Sequence, residues 1–156
     1  MPQKRYWLMK SEADCFSFDD LLHAPGKTTC WDGVRNFEAR NLLRDQVQVG
    51  DEVLYYHSNS DAIGVAGIAK VVRAGYPDST AFDKKHEHYD PKSKTDNPTW
   101  YMVDLKAVKK LPRFVRLAEL RAQKSLQKMA LFTRNRLSVT PVTEPEWNTV
   151  LKMGGL

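Results

Sequence analysis

The stretch EVLYYHSNSDAIGVAGIAKVVR, residues 52–73, decides the class of fold. Glu52 to His57 and Ile63 to Arg73 are rich in β-branched and aromatic residues, and the polar run between them is typical of a hairpin connection. Gly64 and Gly67 inside the return strand predict bulges or a close approach of another part of the chain. The stretch therefore predicts two antiparallel strands in a strongly curved sheet.

The elements outward from this hairpin alternate irregularly between strand and helix patterns. We expect further strands at 5–9, 100–108 and 137–142, and helices at 19–23, at 35–44, in short pieces between 117 and 131, and after Thr143. Five or six short strands with helices outside them predict an α+β fold, a partly open, curved β-barrel with flanking short helices. A doubly wound sheet is not expected, because helices do not alternate regularly with strands and neither the dinucleotide nor the phosphate-loop glycine pattern is present.

The length of 156 residues, 42% of them hydrophobic, predicts a single domain over residues 1–156. Such a chain buries a core without disulfides, so we expect Cys15 and Cys30 to be free thiols. No apolar run is long enough for a membrane span or a secretory signal. We therefore expect a cytoplasmic protein, with a nucleoid-associated or nuclear site as the alternative, no membrane partner, and a monomer.

The net charge of +5 is distributed unevenly along the chain. Residues 106–136 hold ten basic residues and the single acid Glu119, whereas the remainder is net acidic. Lysine and arginine placed against phosphates release counterions and add affinity, so this asymmetry favours a nucleic-acid partner. The alternative is a solvated basic face without a partner.

Chemistry is most clearly indicated around Trp31, which lies among polar and small residues without clean periodicity. An indole in this setting can form a stacking wall for a planar base, or it can simply fill the core. Two strand ends, Lys10-Ser11-Glu12 and His57-Ser58-Asn59, supply polar groups that could meet at one rim. Each could equally be an ordinary turn.

Two enzyme-like readings are also open. Cys30, His57 and Asp51 could form a thiol nucleophile, base and orienting acid, although no cysteine signature surrounds them. His86 and His88, with Asp83 and Asp90 nearby, could chelate a divalent cation, although a solvated loop explains them as well. We expect no catalytic residue, no metal and no cofactor.

Six separated strings in the sequence are more specific than these patterns. They are YWLMKSE at 6–12, CWDGVRN at 30–36 followed by ARN at 39–41, YHSN at 56–59, YDPKS at 89–93, DNP at 96–98 with Trp100, and LSV at 137–139 before PVT at 141–143. Together they resemble the EVE domain family over nearly the whole chain. Ala13 departs from the pattern, because the family commonly has a proline there.

The resemblance implies a PUA-like fold, related to YTH, SRA and ASCH domains, that accepts a nucleotide in a pocket at one mouth of the barrel. It implies that the chain reads modified bases, with modified cytosine in DNA favoured and a modified RNA base as the alternative. By analogy with the YTH pocket, the base would be contacted by Trp31, Lys10, Ser11, Glu12, His57, Ser58 and Asn59, with Tyr76, Pro77 and Asp78 at the mouth. We add Asn36 as a further group that could meet the Watson–Crick edge.

The resulting hypothesis is a non-enzymatic reader that extrudes one base from its stack and holds it against Trp31. Phosphate contacts would give affinity that does not depend on the base, and the base pocket would give specificity. Arg113, Arg116, Arg134 and Arg136 are the predicted phosphate ligands. The competing classes are a base-processing or nuclease-like enzyme on the same fold, and a module that binds a small anion or metabolite.

Overall fold

The computed structural model describes residues 5–12, 16–32, 34–58, 63–96, 98–134 and 137–156. Within these residues the chain forms six strands, five α-helices and three short 3₁₀ turns. The strands are β1 (Tyr6–Glu12), β2 (Thr28–Trp31), β3 (Glu52–Ser58), β4 (Gly64–Pro77), β5 (Tyr101–Arg116) and β6 (Val139–Val142). The α-helices are α1 (Phe18–His23), α2 (Phe37–Asp45), α3 (Leu117–Ala122), α4 (Ala130–Thr133) and α5 (Glu144–Met153).

The strands form one mixed sheet in the order β2-β5-β4-β3-β1-β6. Only β1 and β3 pair in parallel, and the other neighbours are antiparallel. The sheet is not closed, since β2 and β6 lie at its two edges. The predicted α+β fold with a curved, partly open sheet and flanking short helices is confirmed.

Both faces of the sheet are buried, which explains why its inner strands are almost continuously apolar. Trp7 and Met9 point to one core, under α1 and α2, whereas Leu8 between them points to the second core, under α3, α4 and α5. In β3, Tyr55 and Tyr56 divide between the two cores in the same way. The two faces can therefore carry separate cavities.

The long strands are bent where their pairing register shifts. The β3–β4 register shifts between Tyr55 and Tyr56, and β4 and β5 shift several times. At Gly67 a Cβ atom would lie 2.3 Å from the Phe18 ring, so only glycine allows this close approach. The bulges and close approach predicted from the glycines of β4 are confirmed.

Several predicted boundaries differ from the observed ones. The segment Thr28–Trp31 is a strand that the sequence pattern did not predict, because four residues with an exposed cysteine show no alternation. Strand β5 continues past Pro112 to Arg116, since the residues around the proline lie in a shifted part of the ladder. Helix α2 begins at Phe37 rather than at Arg35. The long polar segment between β4 and β5 contains a 3₁₀ turn, Ser79–Phe82.

Candidate functional site

A cavity of about 660 Å³ opens on the α1–α2 face of the sheet, where β1 and β2 end and the long loop after β4 folds back. This volume is within the range of small-molecule sites. The wall combines aromatic rings with carboxyl, amine and guanidinium groups, so it can hold a planar polar ligand. The lining residues are Lys10, Ser11, Phe16, Thr29, Cys30, Trp31, Asp32, Val34, Arg35, Tyr55, Glu87, His88 and Ser138.

Trp31 is the last residue of β2 and forms part of the cavity wall. It is 9% exposed, and its ring meets that of Tyr55 edge to face with 5.4 Å between the centroids. Pairing with Val103 of β5 fixes its backbone. The indole is therefore anchored in the core and also borders the cavity. Core packing and a place in the cavity wall, the two alternatives from the sequence, each describe part of its position.

The hydroxyl groups beside this wall have defined partners. Ser11 Oγ donates a hydrogen bond of 2.7 Å to the Phe16 carbonyl oxygen, and Tyr55 Oη donates to the same oxygen at 2.9 Å. Burial raises the pKa of the Tyr55 phenol to about 12, so the ring stays neutral. Ser11 and Tyr55 consequently fix the shape of the wall.

Asp32 follows Trp31 and places a carboxyl group in the cavity wall. Burial raises the pKa of this carboxyl, the Asp78 carboxylate raises it further, and His88 acts in the opposite direction. Burial also raises the pKa of the neighbouring Cys30 thiol. Asp32 therefore holds a proton to higher pH than an ordinary aspartate. Sequence reasoning quoted Asp32 in the CWDGVRN string but gave it no role.

Arg35 ties the long loop to the cavity. Its Nη1 donates to Asp78 Oδ2 at 3.1 Å and to the Val34 carbonyl at 3.0 Å. Its Nε and Nη2 both donate to the His88 carbonyl, at 3.2 and 2.5 Å, and the guanidinium carbon lies 5.3 Å from the centroid of the Trp100 ring. Asp78 is fully buried, so this ion pair is protected from screening. Arg35 was also missed as a site residue.

Asp32, His86 and His88 bring ligand atoms within 4.8 Å of one another. The His88 backbone N–H donates to His86 Nδ1 at 3.0 Å, which places the proton of a neutral His86 ring on Nε2. His88 Nδ1 is buried 3.9 Å from Asp32 Oδ1, with no hydrogen-bond partner in the described part of the chain. Ligation of a metal through either ring nitrogen of His86 would break this hydrogen bond, directly at Nδ1 and through a change of tautomer at Nε2.

The two aspartates that the sequence placed near these histidines have other roles. Asp83 Oδ1 accepts from the Lys85 N–H at 2.9 Å, within a turn. Asp90 Oδ2 accepts from Trp100 Nε1 at 2.5 Å, and Asp90 Oδ1 accepts from the Lys92 N–H at 3.0 Å. Both carboxylates stabilise the loop conformation, and the histidines instead face Asp32.

Several residues predicted to contact the base have structural partners outside the cavity lining. Asn36 caps α2, since its Oδ1 accepts from the Ala39 N–H at 3.0 Å. His57 Nε2 accepts from the N–H of Phe18 at the start of α1, at 3.0 Å. Ser58 ends β3 on the same face as Tyr56. The side chain of Glu12 and all of Asn59 lie outside the described residues.

The predicted mouth residues Tyr76, Pro77 and Asp78 lie at and beyond the end of β4. Tyr76 Oη donates to Asp104, and burial raises the pKa of its phenol. Pro77 pairs with Tyr101 in β5. None of the three is among the described lining residues, although Asp78 forms an ion pair with Arg35 of the cavity wall.

The predicted phosphate ligands differ in their availability. Arg113 forms a bidentate ion pair with Glu119, at 2.6 and 2.7 Å. Arg134 pairs with Glu38 of α2. Arg116 is exposed immediately before α3, and Arg136 lies outside the described residues. Two of the four guanidinium groups are therefore already partnered by carboxylates.

The hypothetical triad of Cys30, His57 and Asp51 is not assembled. Cys30 lies in the cavity wall, and its thiol is 4.0 Å from Asp32 Oδ2. His57 is occupied at α1, and the Asp51 carboxylate accepts from Trp7 Nε1 at 2.9 Å. His57 and Asp51 are therefore not available to Cys30 as base and orienting acid.

The fold is an α+β domain with a mixed, curved sheet and an aromatic-lined cavity where strands end. Comparison with known proteins identifies its family. The profile of the EVE domain matches residues 5–153, and the chain belongs to this family. Thymocyte nuclear protein 1 of Homo sapiens is 47% identical over 165 residues, covering 95% of this chain and 73% of that protein.

Two solved structures are similar over nearly their whole length. A hypothetical protein from Leishmania major has a TM-score of 0.92 and 50% identity, covering 97% of this chain and 95% of that one. Human THYN1 protein in complex with DNA containing 5-methylcytosine has a TM-score of 0.93 and 46% identity, covering 98% and 99%. The family predicted from the six strings is confirmed. In the described part of the chain, no helix is long and apolar enough to cross a membrane.

Proposed function

We propose that this chain is a non-enzymatic reader of modified cytosine in DNA and that the cavity beside Trp31 holds one extruded base. The observation that carries the proposal is the adjacent placement of the Trp31 indole and the Asp32 carboxyl in the wall of one 660 Å³ cavity. The similarity to human THYN1 protein, whose structure contains 5-methylcytosine DNA, supports the same ligand class.

Stacking on Trp31 supplies affinity for any flat base. Base–aromatic stacking is worth about 1–3 kcal/mol, which is similar to the few kcal/mol needed to extrude a base from a duplex. The Tyr55 ring stands perpendicular to the indole and holds it in place. The wall is thus formed before the base arrives, and little of the stacking energy is lost in ordering it.

Asp32 provides the specificity for cytosine. The Watson–Crick edge of cytosine presents the N4 amino donor beside the N3 acceptor, and a carboxylate accepts from N4. A protonated carboxyl does more, because its carbonyl oxygen accepts from N4 while its hydroxyl donates to N3. Burial raises the pKa of Asp32 and therefore favours this two-bond arrangement.

The apolar part of the wall can accommodate a substituent on the base. Phe16 and Val34 line the cavity together with the ring of Tyr55. A methyl group transferred from water onto such a surface gains roughly 0.8 kcal/mol. The preference for a methylated over an unmodified cytosine is therefore expected to be a few-fold from this contact alone.

The neighbouring thiol favours a reader over a base-processing enzyme. Burial raises the pKa of Cys30, which opposes formation of a thiolate nucleophile. His57, the candidate base, accepts a hydrogen bond from the start of α1. Product analysis after incubation with modified oligonucleotides tests this directly, and formation of an altered base or a cleaved strand would refute the reader.

The binding test compares oligonucleotides that differ only in one cytosine. We expect wild-type protein to bind the 5-methylcytosine strand more tightly than the unmodified strand, in DNA and at fixed salt. Trp31→Ala should weaken the modified complex by about 1–3 kcal/mol. Phe37→Ala, which removes an aromatic ring that is 61% exposed and outside the cavity lining, is the matched control. Equal binding by Trp31→Ala and wild type would refute the placement of the base against Trp31. Tighter binding to modified RNA than to modified DNA would show that the ligand is RNA.

A further inference from the structure

A second cavity of about 310 Å³ lies on the opposite face of the sheet, against α3 and α4. Its floor is apolar and includes an aromatic ring, and two basic side chains stand at its wall. The volume is at the lower end of the range for small-molecule sites. The lining residues are Lys10, Tyr56, Leu117, Arg121, Leu131 and Phe132.

Lys10 is the one described residue that lines both cavities. The reason is its place at the sheet edge: β6 pairs with β1 only from Tyr6 to Met9, and beyond this point the Lys10 N–H donates to the Ser138 carbonyl at 2.9 Å. Ser138 in turn lines the first cavity. The two cavities therefore meet at the edge of β1, around a single basic side chain.

The electrostatics of this edge favour an anion. Lys10 is about half-buried, and desolvation lowers the pKa of its amine, a cost that a nearby anion would offset. Arg121 is exposed, lies near the Tyr56 phenol, and has no carboxylate within ion-pair distance in the described part of the chain. The acid closest to it in sequence, Glu119, is taken by Arg113.

The floor of the second cavity favours a flat or apolar group beside that anion. Phe132 is only partly buried and packs against the second core, while Leu131 and Leu117 complete the surface. An aromatic ring next to a guanidinium is the combination that holds successive bases of a single strand. A nucleotide offers both features, a phosphate and a planar base.

We propose that the second cavity is a subsite for the nucleotide adjoining the extruded base, and that the phosphate between the two nucleotides crosses the β1 edge at Lys10. This inference rests on the proposed function of the first cavity. Arg121 contacts the phosphate or sugar of the adjoining nucleotide, and Phe132 contacts its base. The bound strand then passes over the sheet edge from one face to the other, and sequence context next to the modified base affects affinity.

The test compares 5-methyldeoxycytidine with dinucleotides that extend it on the 5′ or the 3′ side. Amide chemical shifts of ¹⁵N-labelled protein report which cavity responds, even when binding is weak. We expect the nucleoside to shift amides around Trp31 alone. One of the two dinucleotides should also shift those of Leu117, Arg121 and Phe132, and it should bind about tenfold more tightly, since hydrogen bonds to charged groups are the stronger ones.

Variants separate the subsite from general charge attraction. Arg121→Gln should remove most of the dinucleotide gain and leave nucleoside affinity unchanged, whereas Lys152→Gln, an equal charge loss on α5, should change neither. A nucleoside that shifts the Trp31 region, with no dinucleotide reaching the second cavity, would overturn the subsite and leave the reader intact. Absence of any shift around Trp31 would overturn the reader, and the subsite with it.

Discussion

The protonation of Asp32 gives the sharpest prediction, because it couples binding to pH with a defined sign. If the carboxyl donates to N3 of cytosine, the complex holds one proton that the free carboxylate and free base do not. The pKa of Asp32 is then higher in the complex than in the free protein, where burial has already raised it. Affinity consequently increases as the pH falls from the pKa of the complex toward the lower pKa of the free protein, by up to tenfold, or about 1.4 kcal/mol, per pH unit.

Two variants of Asp32 measure how much its hydrogen bonds contribute to binding. Asp32→Asn presents the same pair of groups as a protonated aspartate, a carbonyl that accepts from N4 and an amide that donates to N3. It should therefore bind 5-methyldeoxycytidine within about 1 kcal/mol of wild type and without the pH dependence. Asp32→Ala leaves both polar groups of the base edge unpaired in the cavity and should cost about 1–3 kcal/mol.

The assay is calorimetric titration of the nucleoside from about pH 5 to 8, in two buffers of different ionisation enthalpy so that proton uptake is counted directly. Net uptake of up to one proton for each complex formed supports the two-bond arrangement. Proton release, or binding that weakens as the pH falls, would show that the carboxylate accepts only from N4. Unchanged affinity in Asp32→Ala would remove Asp32 from the site.

Three further predictions concern the frame around the cavity. Arg35→Lys loses the planar guanidinium that donates to Asp78 and the His88 carbonyl. It should weaken binding by about 1 kcal/mol and speed amide hydrogen exchange at residues 83–90. Unchanged exchange would contradict this role. Asp51→Ala leaves one buried donor, Trp7 Nε1, and two part-buried backbone N–H groups without their acceptor, and it should cost about 3 kcal/mol of unfolding free energy in urea; a cost below 1 kcal/mol would contradict this role. Arg116→Gln should reduce the slope of log affinity against log salt by about 0.7–0.9, and an unchanged slope would remove it from the phosphate surface.

The fold was largely predictable because its signals are local. β-Branched and aromatic residues marked β3 and β4, and Ser17 and Thr143 each form the capping box that their spacing to Asp20 and Glu146 indicates. Strand β2 was not predictable, because it is defined by its pairing with β5 rather than by its own pattern. Pairing between distant segments leaves no trace in a single strand of four residues.

The site was predictable only in part, for the same reason. Trp31 was marked by its polar neighbours, and Lys10 and Ser11 by their place at a strand end. Asn36 and His57 have polar side chains that serve helix starts, and the N-cap role of Asn36 could have been recognised from its position before a helix. His88 comes from a loop more than fifty residues away from Arg35, so only the folded chain brings it to the cavity.

The most direct measurement is a crystal structure of the protein with a short DNA duplex that contains one 5-methylcytosine. The account predicts that the methylated base leaves the helix, stacks on the Trp31 indole and bonds through its N3–N4 edge to Asp32. A complex in which every base stays paired in the duplex while the 660 Å³ cavity holds only solvent would contradict it.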